Sequence, residues 1–354
     1  MVNQTFSPKI QPIYEKLIGC DNPIEQIQAV YELGNLSSEE DALEAILRGL
    51  LLPDSDIKLA ILDILMQPEF FGEAIVQPII DLLGDEDMEV RKQAIEILGM
   101  TKDNRAVPPL ISSLHDKEPD VRYCAMASLA NIGDKNASSH LESCIDSDNW
   151  QDRYYAIDSI GMIANPAAAG SFLKAFNDEN PKVRENAALS AGFYDRHPEV
   201  KAKLIELLDD EELEVQGAAA FMLGEYKCKD AVPQLCDFLK TDTEDLILIA
   251  IESLSKIRDP TSISALIGML DHGAPEISIA AQEALDVFRN IVIIEPLVDA
   301  LKHDVIVRYI EHRLRKFPEQ PGKKKNPERS LSSLKLPMWL EMLLHEILIN
   351  GQEN

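Results

Sequence analysis

The fold is decided by four consecutive segments that share one pattern: DEDMEVRKQAIEILG (residues 85–99), DKEPDVRYCAMASLA (116–130), SDNWQDRYYAIDSIG (147–161) and DENPKVRENAALSAG (178–192). The central positions of these segments lie 31 residues apart each time and are Ala94, Ala125, Ala156 and Ala187. The same register extends outward in steps of 30 to 33 residues, to Ala29, Ile61, Ala219, Ala250, Ala281 and Glu311. Self-similarity at a fixed period indicates a repeat architecture, here of about ten copies.

Each repeat shows a helical period twice. In the third repeat a first helix is marked by Ile75, Ile79, Ile80, Leu82 and Leu83, and a second by Val90, Ala94, Ile95, Ile97 and Leu98. The acidic turn between them suits a helix start, where carboxylates cap free N–H groups. Prolines stand in the matching turns of other repeats, at Pro119, Pro181 and Pro275. The pattern predicts an all-α protein, a right-handed α-α superhelix of stacked helix pairs.

Two features of the second helix repeat along the chain. The central residue and the residue five places later stay small, as in Ala156 and Gly161, which allows close approach of neighbouring helices. A cation precedes the central position by three residues in six repeats: Lys58, Arg91, Arg122, Arg153, Arg184 and Arg308. These cations form either a binding stripe or a structural ladder that bonds loop carboxylates of the same or the adjacent repeat. We favour the ladder for Arg91, Arg122, Arg153 and Arg184, because bidentate bonding to carboxylates is typical of arginine.

Charge limits the classes of partner. The formal net charge is -27, and the acidic excess lies in the first 300 residues. Such a surface disfavours nucleic acid and anionic lipid, so we expect a protein partner that is basic or offers a basic, apolar peptide or helix. The five cysteines form no C-x-x-C pair, the N-terminus has neither a basic start nor an apolar run, and no apolar stretch reaches 18 residues. We therefore expect a cytoplasmic protein without membrane insertion.

No motif for catalysis is found in the sequence. It contains no H-E-x-x-H, no phosphate-binding glycine loop, no G-x-S-x-G and no cysteine spacing typical of zinc. We therefore expect no enzymatic activity, no catalytic residues, no metal and no cofactor.

Short motifs add a family resemblance. The segments Ala106-Val-Pro-Pro-Leu-Ile111 and Ala231-Val-Pro-Gln-Leu235, with the pattern D-x-[DE]-x-x-V-R-x-x-A, resemble HEAT-like repeats of the phycobilisome lyase type over roughly residues 10–316. The resemblance implies a curved solenoid, related to armadillo folds, whose concave face is lined by the second helices and binds partners, here as an acidic concave surface. It is compatible with a scaffold or adaptor, with a subunit of a bilin lyase or another maturation or assembly factor, and with a regulatory subunit of a signalling enzyme.

If second helices line the groove, positions two before and two after the central residue face a partner. These positions include Tyr123, Tyr154, Asp158, Leu189 and Phe221, and Tyr155 directly follows Tyr154. We expect this set to form the partner-binding groove, because tyrosines beside acids anchor basic, partly apolar peptides. The alternative is that the tyrosines only pack over neighbouring repeats with their hydroxyls in water.

The C-terminal part departs from the repeat. We expect a solenoid over residues 1–317, a basic Pro/Lys/Ser linker over 318–333 and an apolar helix over 334–354. This last helix is too apolar to remain solvated and must dock, either on its own solenoid as a cap or on another protein. Its docking face is expected to contain Trp339, Leu340, Leu343, Leu344 and Ile347.

Overall fold

The computed structural model describes residues 6–39 and 41–288, and all regular structure within them is helical. The predicted all-α class is therefore confirmed for the described residues. Contacts divide the chain into two compact units, Met1–Ala175 and Phe176–Asn354. The predicted linker and C-terminal helix lie outside the described residues.

The first unit contains eleven described α-helices, which form five pairs and the first helix of a sixth. They are α1 (Gln11–Gly19), α2 (Pro23–Gly34), α3 (Ala42–Gly49), α4 (Ser55–Leu65), α5 (Glu73–Ile80), α6 (Met88–Thr101), α7 (Val107–Ser113), α8 (Pro119–Ile132), α9 (Ala137–Leu141), α10 (Trp150–Ile163) and α11 (Ala169–Ala175). Short 3₁₀ segments flank several of them: Pro68–Phe70, Asp81–Gly84, Asn104–Ala106, Glu142–Asp146 and Pro166–Ala168.

The second unit contains seven described α-helices. They are α12 (Pro181–Ser190), α13 (Pro198–Glu206), α14 (Leu213–Glu225), α15 (Val232–Phe238), α16 (Glu244–Ile257), α17 (Ile263–Gly268) and α18 (Pro275–Asp286). Its described 3₁₀ segments are Leu207–Asp209, Lys229–Ala231, Pro260–Ser262 and Met269–Asp271.

Helix starts follow the predicted turn chemistry. Pro119, Pro181 and Pro275 are the first residues of α8, α12 and α18. There a missing N–H costs nothing, because the first turn of a helix has no internal acceptor for it. The Asp87 side chain accepts a hydrogen bond from the Glu89 N–H at the start of α6, and Asn149 does the same for α10.

Several second helices end in a left-handed residue. Gly133 after α8 has φ 76°, a conformation that glycine adopts without strain. The same region is occupied by Lys102 after α6, Ala164 after α10 and Arg258 after α16, with φ between 53° and 57°. A residue with a Cβ is strained there by about 1–2 kcal/mol. These helix ends are therefore points at which the fold tolerates local strain.

Second helices pack side by side within each unit. They are α2, α4, α6, α8 and α10 in the first unit and α12, α14, α16 and α18 in the second. Every central residue from Ala29 to Ala281 is fully buried in these contacts. The closest approaches pair a glycine with a serine of the next second helix. A Cβ built on Gly99 would lie 2.9 Å from the Cα of Ser128, and one on Gly224 would lie 2.8 Å from the Cα of Ser253.

Both serines also bond across these contacts. The Ser128 hydroxyl donates to the Ile95 carbonyl and the Ser253 hydroxyl to the Ala220 carbonyl, each at 2.9 Å. The buried hydroxyls are thereby satisfied, and the small residues predicted from the sequence bring the helices close together.

Candidate functional site

The repeated arginines lie beside the loops that join the two helices of each repeat. Arg184 on α12 donates from Nε and Nη2 to the two carboxylate oxygens of Asp210, each at 2.8 Å, while its Nη1 donates to the Asp178 carbonyl at 2.9 Å. Arg91 has the same geometry, with both bonds to Asp116 and a third to the Asp85 carbonyl. One guanidinium thus joins its own loop to the loop of the next repeat.

The loop aspartates have a second role. Asp116 and Asp210 each accept a hydrogen bond from the N–H two residues later, that of Glu118 and Glu212. The same carboxylate therefore stabilises its turn and receives the arginine of the preceding repeat. Lys58 makes the equivalent contact to Asp85 at 2.7 Å.

The ladder changes where the sequence changes. Ser147 stands at the loop position that an aspartate holds in the neighbouring repeats, so Arg122 donates instead to Asp152 on α10, at 2.9–3.1 Å. The Ser147 hydroxyl donates to the same carboxylate at 2.8 Å. Arg153 donates to the Ser147 carbonyl at 2.9 Å, so it too is anchored to the loop of its own repeat.

These contacts shift loop carboxylates toward the charged form. For Asp85, burial alone would raise the pKa, but the hydrogen bonds from Lys58 and the Asp87 N–H and the charges of Lys58 and Arg91 lower it overall. For Asp116, burial is again outweighed, by the bond from Arg91, the Glu118 N–H and nearby cations, and the pKa is lowered. Both groups therefore remain ionised at neutral pH.

A cluster of aromatic side chains lies on the exposed surface of α8 and α10. The rings of Tyr123 and Tyr155 stack across the two repeats, with centroids 4.4 Å apart and planes at 28°. Tyr154 meets Tyr155 edge to face at 5.3 Å. Trp150 meets Tyr154 in the same way at 6.4 Å. The structure thus brings the three predicted tyrosines together and adds a tryptophan, and we name these four residues the tyrosine cluster.

Polar contacts fix one edge of the tyrosine cluster. The side-chain amide of Asn149 donates to the Tyr123 hydroxyl at 3.1 Å. Burial, and then the charge of Asp152, raise the pKa of Tyr123, so its hydroxyl stays protonated. Trp150 and Tyr155 are 39% and 38% exposed. One side of the cluster is therefore held by the protein while the other faces outward.

The predicted carboxylate, Asp158, is half-buried on α10, one turn beyond Tyr154. The solvent-facing side of α6 and α8 adds Glu89, Glu96 and Asp120, together with Lys92, whose ammonium pairs with Glu89 at 3.2 Å. Acidic groups therefore outnumber cations around the tyrosine cluster.

Two predicted groove residues lie in the second unit. Leu189 on α12 and Phe221 on α14 are exposed. The Lys256 ammonium lies 4.7 Å from the centre of the Phe221 ring and pairs with Glu225 and Glu252. The predicted docking residues Trp339, Leu340, Leu343, Leu344 and Ile347 lie outside the described residues.

Trp150 was missed by the sequence analysis because it is the first residue of α10 and lies outside the positions two before and two after the centre. Its signal was available, since the chain contains only two tryptophans. Asn149 beside it was not identified from the sequence either.

No described group of three or more His, Cys, Asp or Glu side chains could hold a metal ion. Burial, and then the charge of Glu96, raise the pKa of Cys124 to about 11, so this thiol beside the tyrosine cluster is a poor nucleophile. No described helix is long and apolar enough to cross a bilayer.

Several solved structures are similar to this chain. Kap95p, in its complex with RanGDP, matches with a TM-score of 0.65 and 13% identity over 92% of this chain and 50% of its own. YibA from E. coli matches with a TM-score of 0.51 and 23% identity over 73% of this chain and 96% of its own. A chain of the CpcE–CpcF complex of phycocyanin lyase from Nostoc sp. PCC7120 matches with a TM-score of 0.41 and 18% identity, over 66% of this chain and 94% of its own.

At these identities the likeness concerns the fold, and this chain spans half the length of Kap95p. No curated protein matches the sequence. The family model of HEAT repeats matches residues 76–156, 139–215 and 201–286, which confirms the expected resemblance to HEAT repeats. Because these segments cover residues 76–286 without a gap, more than half of the chain, the protein belongs to the HEAT repeat family.

Proposed function

We propose that this protein is a non-catalytic scaffold or adaptor that binds a protein partner through the solvent-exposed face of the second helices α6, α8 and α10. The tyrosine cluster is the observation that carries the proposal. Partner-binding energy concentrates in a few aromatic residues that sit in packed surroundings and lose their water on binding. Trp150 and Tyr155 fit this description, because each packs against another ring and keeps over a third of its surface exposed.

Rigidity favours these rings as anchors. Tyr155 is held by Tyr123 on one side and Tyr154 on the other, so little side-chain entropy remains to be lost when a partner binds. The Asn149–Tyr123 hydrogen bond adds a polar support.

The surrounding charge indicates the class of partner. Glu96, Asp120 and Asp158 lie on α6, α8 and α10, while the two nearby cations are already paired, Lys92 with Glu89 and Arg122, 6.0 Å from the Tyr123 ring, with Asp152. A peptide or helix with lysine or arginine beside apolar side chains would meet both features. The formal net charge of -27 would also accelerate association with such a partner at low salt.

The contacts of the polar groups favour binding over catalysis. The arginines and aspartates of the ladder are engaged in bonds that hold the repeats together, and the raised pKa keeps the Cys124 thiol protonated. The five free cysteines are compatible with the cytoplasmic setting that we propose. Kap95p, which has a similar fold, binds RanGDP, so a protein partner is in keeping with this architecture.

The proposal is tested by selecting peptides from a random library displayed on phage, with the full chain as bait. Wild type is compared with Tyr154→Ala/Asp158→Ala, which removes one ring and one carboxylate from the surface. Tyr31→Ala/Asp63→Ala is the matched control, because both residues are exposed on α2 and α4, outside the tyrosine cluster.

We expect wild type and control to enrich peptides that combine lysine or arginine with apolar residues, and the cluster variant to lose at least tenfold in affinity for them. Such a loss corresponds to about 1.4 kcal/mol. Equal binding by all three proteins, or enrichment of acidic peptides, would overturn the proposal. Circular dichroism of each variant confirms that the fold is retained.

A further inference from the structure

The second helices of the second unit expose an apolar surface that the proposed function does not use. At the positions two before and two after the centre it contains Leu189, Phe221, Leu248 and Ile279, one from each of α12, α14, α16 and α18. We name these four residues the apolar stripe. Leu189, Phe221 and Ile279 are exposed and Leu248 is half-buried.

We infer that the apolar stripe is the docking site of the chain's own C-terminal segment, residues 334–354. Within this segment apolar residues recur at helical spacing: Leu336, Trp339, Leu340, Leu343, Leu344 and Ile347. A helix with these residues on one face presents the complement of the apolar stripe.

The length of the C-terminal segment as a helix is comparable with the width of the surface that carries the apolar stripe. Adjacent second helices in this unit pack directly, and packed helix axes lie about 8–10 Å apart, so a surface of four helices is about 24–30 Å wide. A helix from Leu336 to Leu348 is about 20 Å long at 1.5 Å per residue. The last described residue is Phe288, and the 45 residues between it and residue 334 can span well over the width of this surface at up to about 3.3 Å per residue.

Charge favours the same occupant. The exposed acids Glu214, Glu225, Glu252 and Glu283 flank the apolar stripe, and Lys256, between Glu225 and Glu252, is the cation that neutralises part of them. The C-terminal segment is preceded by three consecutive lysines, Lys323 to Lys325. Because these lysines belong to the same chain, their effective concentration near the acids is high.

The inference is tested with a single-tryptophan reporter in the full chain. Trp150 and Trp339 are the two tryptophans, so Trp150→Phe leaves Trp339 as the sole fluorophore. In this background we compare the parent, Phe221→Asp/Ile279→Asp on the apolar stripe, and Ile24→Asp as the matched control. Ile24 is 67% exposed on α2, compared with 51% for Ile279 on α18.

We expect blue-shifted emission and weak acrylamide quenching of Trp339 in the parent and in the control. The stripe variant should shift the emission to the red and quench like free tryptophan, while its circular dichroism stays unchanged. Leu340→Asp/Leu343→Asp, which changes the docking segment instead of the apolar stripe, should likewise shift the Trp339 emission to the red and increase its quenching. Sedimentation velocity should give a monomer for every variant.

Three outcomes would overturn the inference. Trp339 exposed in the parent would mean that the segment does not dock. Trp339 shielded in the stripe variant would mean that it docks elsewhere, and a dimer that dissociates in that variant would mean that a second copy supplies it. The peptide selection described above does not depend on any of these results.

Discussion

The contact between Arg184 and Asp210 offers the sharpest test of the ladder. The perturbation is Arg184→Met, which retains an unbranched apolar chain while removing the guanidinium. It breaks two bonds of 2.8 Å to the Asp210 carboxylate and one of 2.9 Å to the Asp178 carbonyl. The side chains of Arg184 and Asp210 are only 9% and 8% exposed, so the carboxylate that remains is left with little water.

The magnitude follows from this burial. Removing one partner of a buried ion pair costs about 3–5 kcal/mol, because the other charge stays desolvated. We take about 3 kcal/mol, the lower end, because Asp210 keeps its bond from the Glu212 N–H. For a unit of this size, 1 kcal/mol corresponds to about 2–4 °C in the melting temperature, so a fall of about 6–12 °C is expected.

The assay is thermal unfolding of the full chain followed by circular dichroism. The control is Lys240→Met, which removes the cation of an ion pair in the same unit whose side chains are 74% and 69% exposed. Because exposed pairs contribute little, the melting temperature of the control should match wild type. The double variant Arg184→Met/Asp210→Asn should recover part of the loss, since it removes the unpaired charge but keeps an oxygen for the Glu212 N–H.

If Arg184→Met melts within 1–2 °C of wild type, like the control, the ladder does not stabilise the repeats and the reasoning fails. A double variant as unstable as the single one would locate the cost in lost packing rather than in the buried charge.

Three further predictions concern the first unit. Ala164→Gly should raise the free energy of unfolding by about 1 kcal/mol, because glycine relieves the left-handed strain after α10, whereas Ala127→Gly within α8 should lower it by about 1 kcal/mol; urea denaturation of both checks the opposite signs. Ala156→Leu should overpack the fully buried contact of α10 and cost about 1–3 kcal/mol, and unchanged melting would contradict the assigned register. The lowered pKa of Asp116 means that its ionised form stabilises the fold above the unfolded value of about 3.9 and that this stability is lost as the pH falls through the lower folded value. Asp116→Asn should therefore melt below wild type at pH 7 and converge with it in acid; a constant difference across this pH range would exclude the linkage.

Much of the fold was predictable because residue types within each repeat mark the helix starts and the buried positions. Pro119 and Pro181 mark helix starts by their chemistry, and the central alanines mark buried contacts by their size. The helix ends were less predictable. Lys102 and Ala164 adopt left-handed conformations that favour glycine, so their residue types gave no signal for these helix ends.

The sequence predicted which tyrosines belong to the candidate site but not how their rings contact one another. Sequence spacing placed Tyr123, Tyr154 and Tyr155 on one surface, yet the stacking of Tyr123 on Tyr155 depends on rotamers and on the relative height of two helices. Arg122 likewise bonds Asp152 because Ser147 stands where the neighbouring repeats have an aspartate. The sequence shows the serine, but only the structure shows which carboxylate replaces the missing one.

The most direct test of the proposed function is hydrogen exchange of the full chain with and without a peptide selected from the library. We expect slower exchange in residues 119–132 and 150–163, which carry the tyrosine cluster, and loss of this protection in Tyr154→Ala/Asp158→Ala. Protection confined to the loops between helices, or unchanged in the variant, would contradict it.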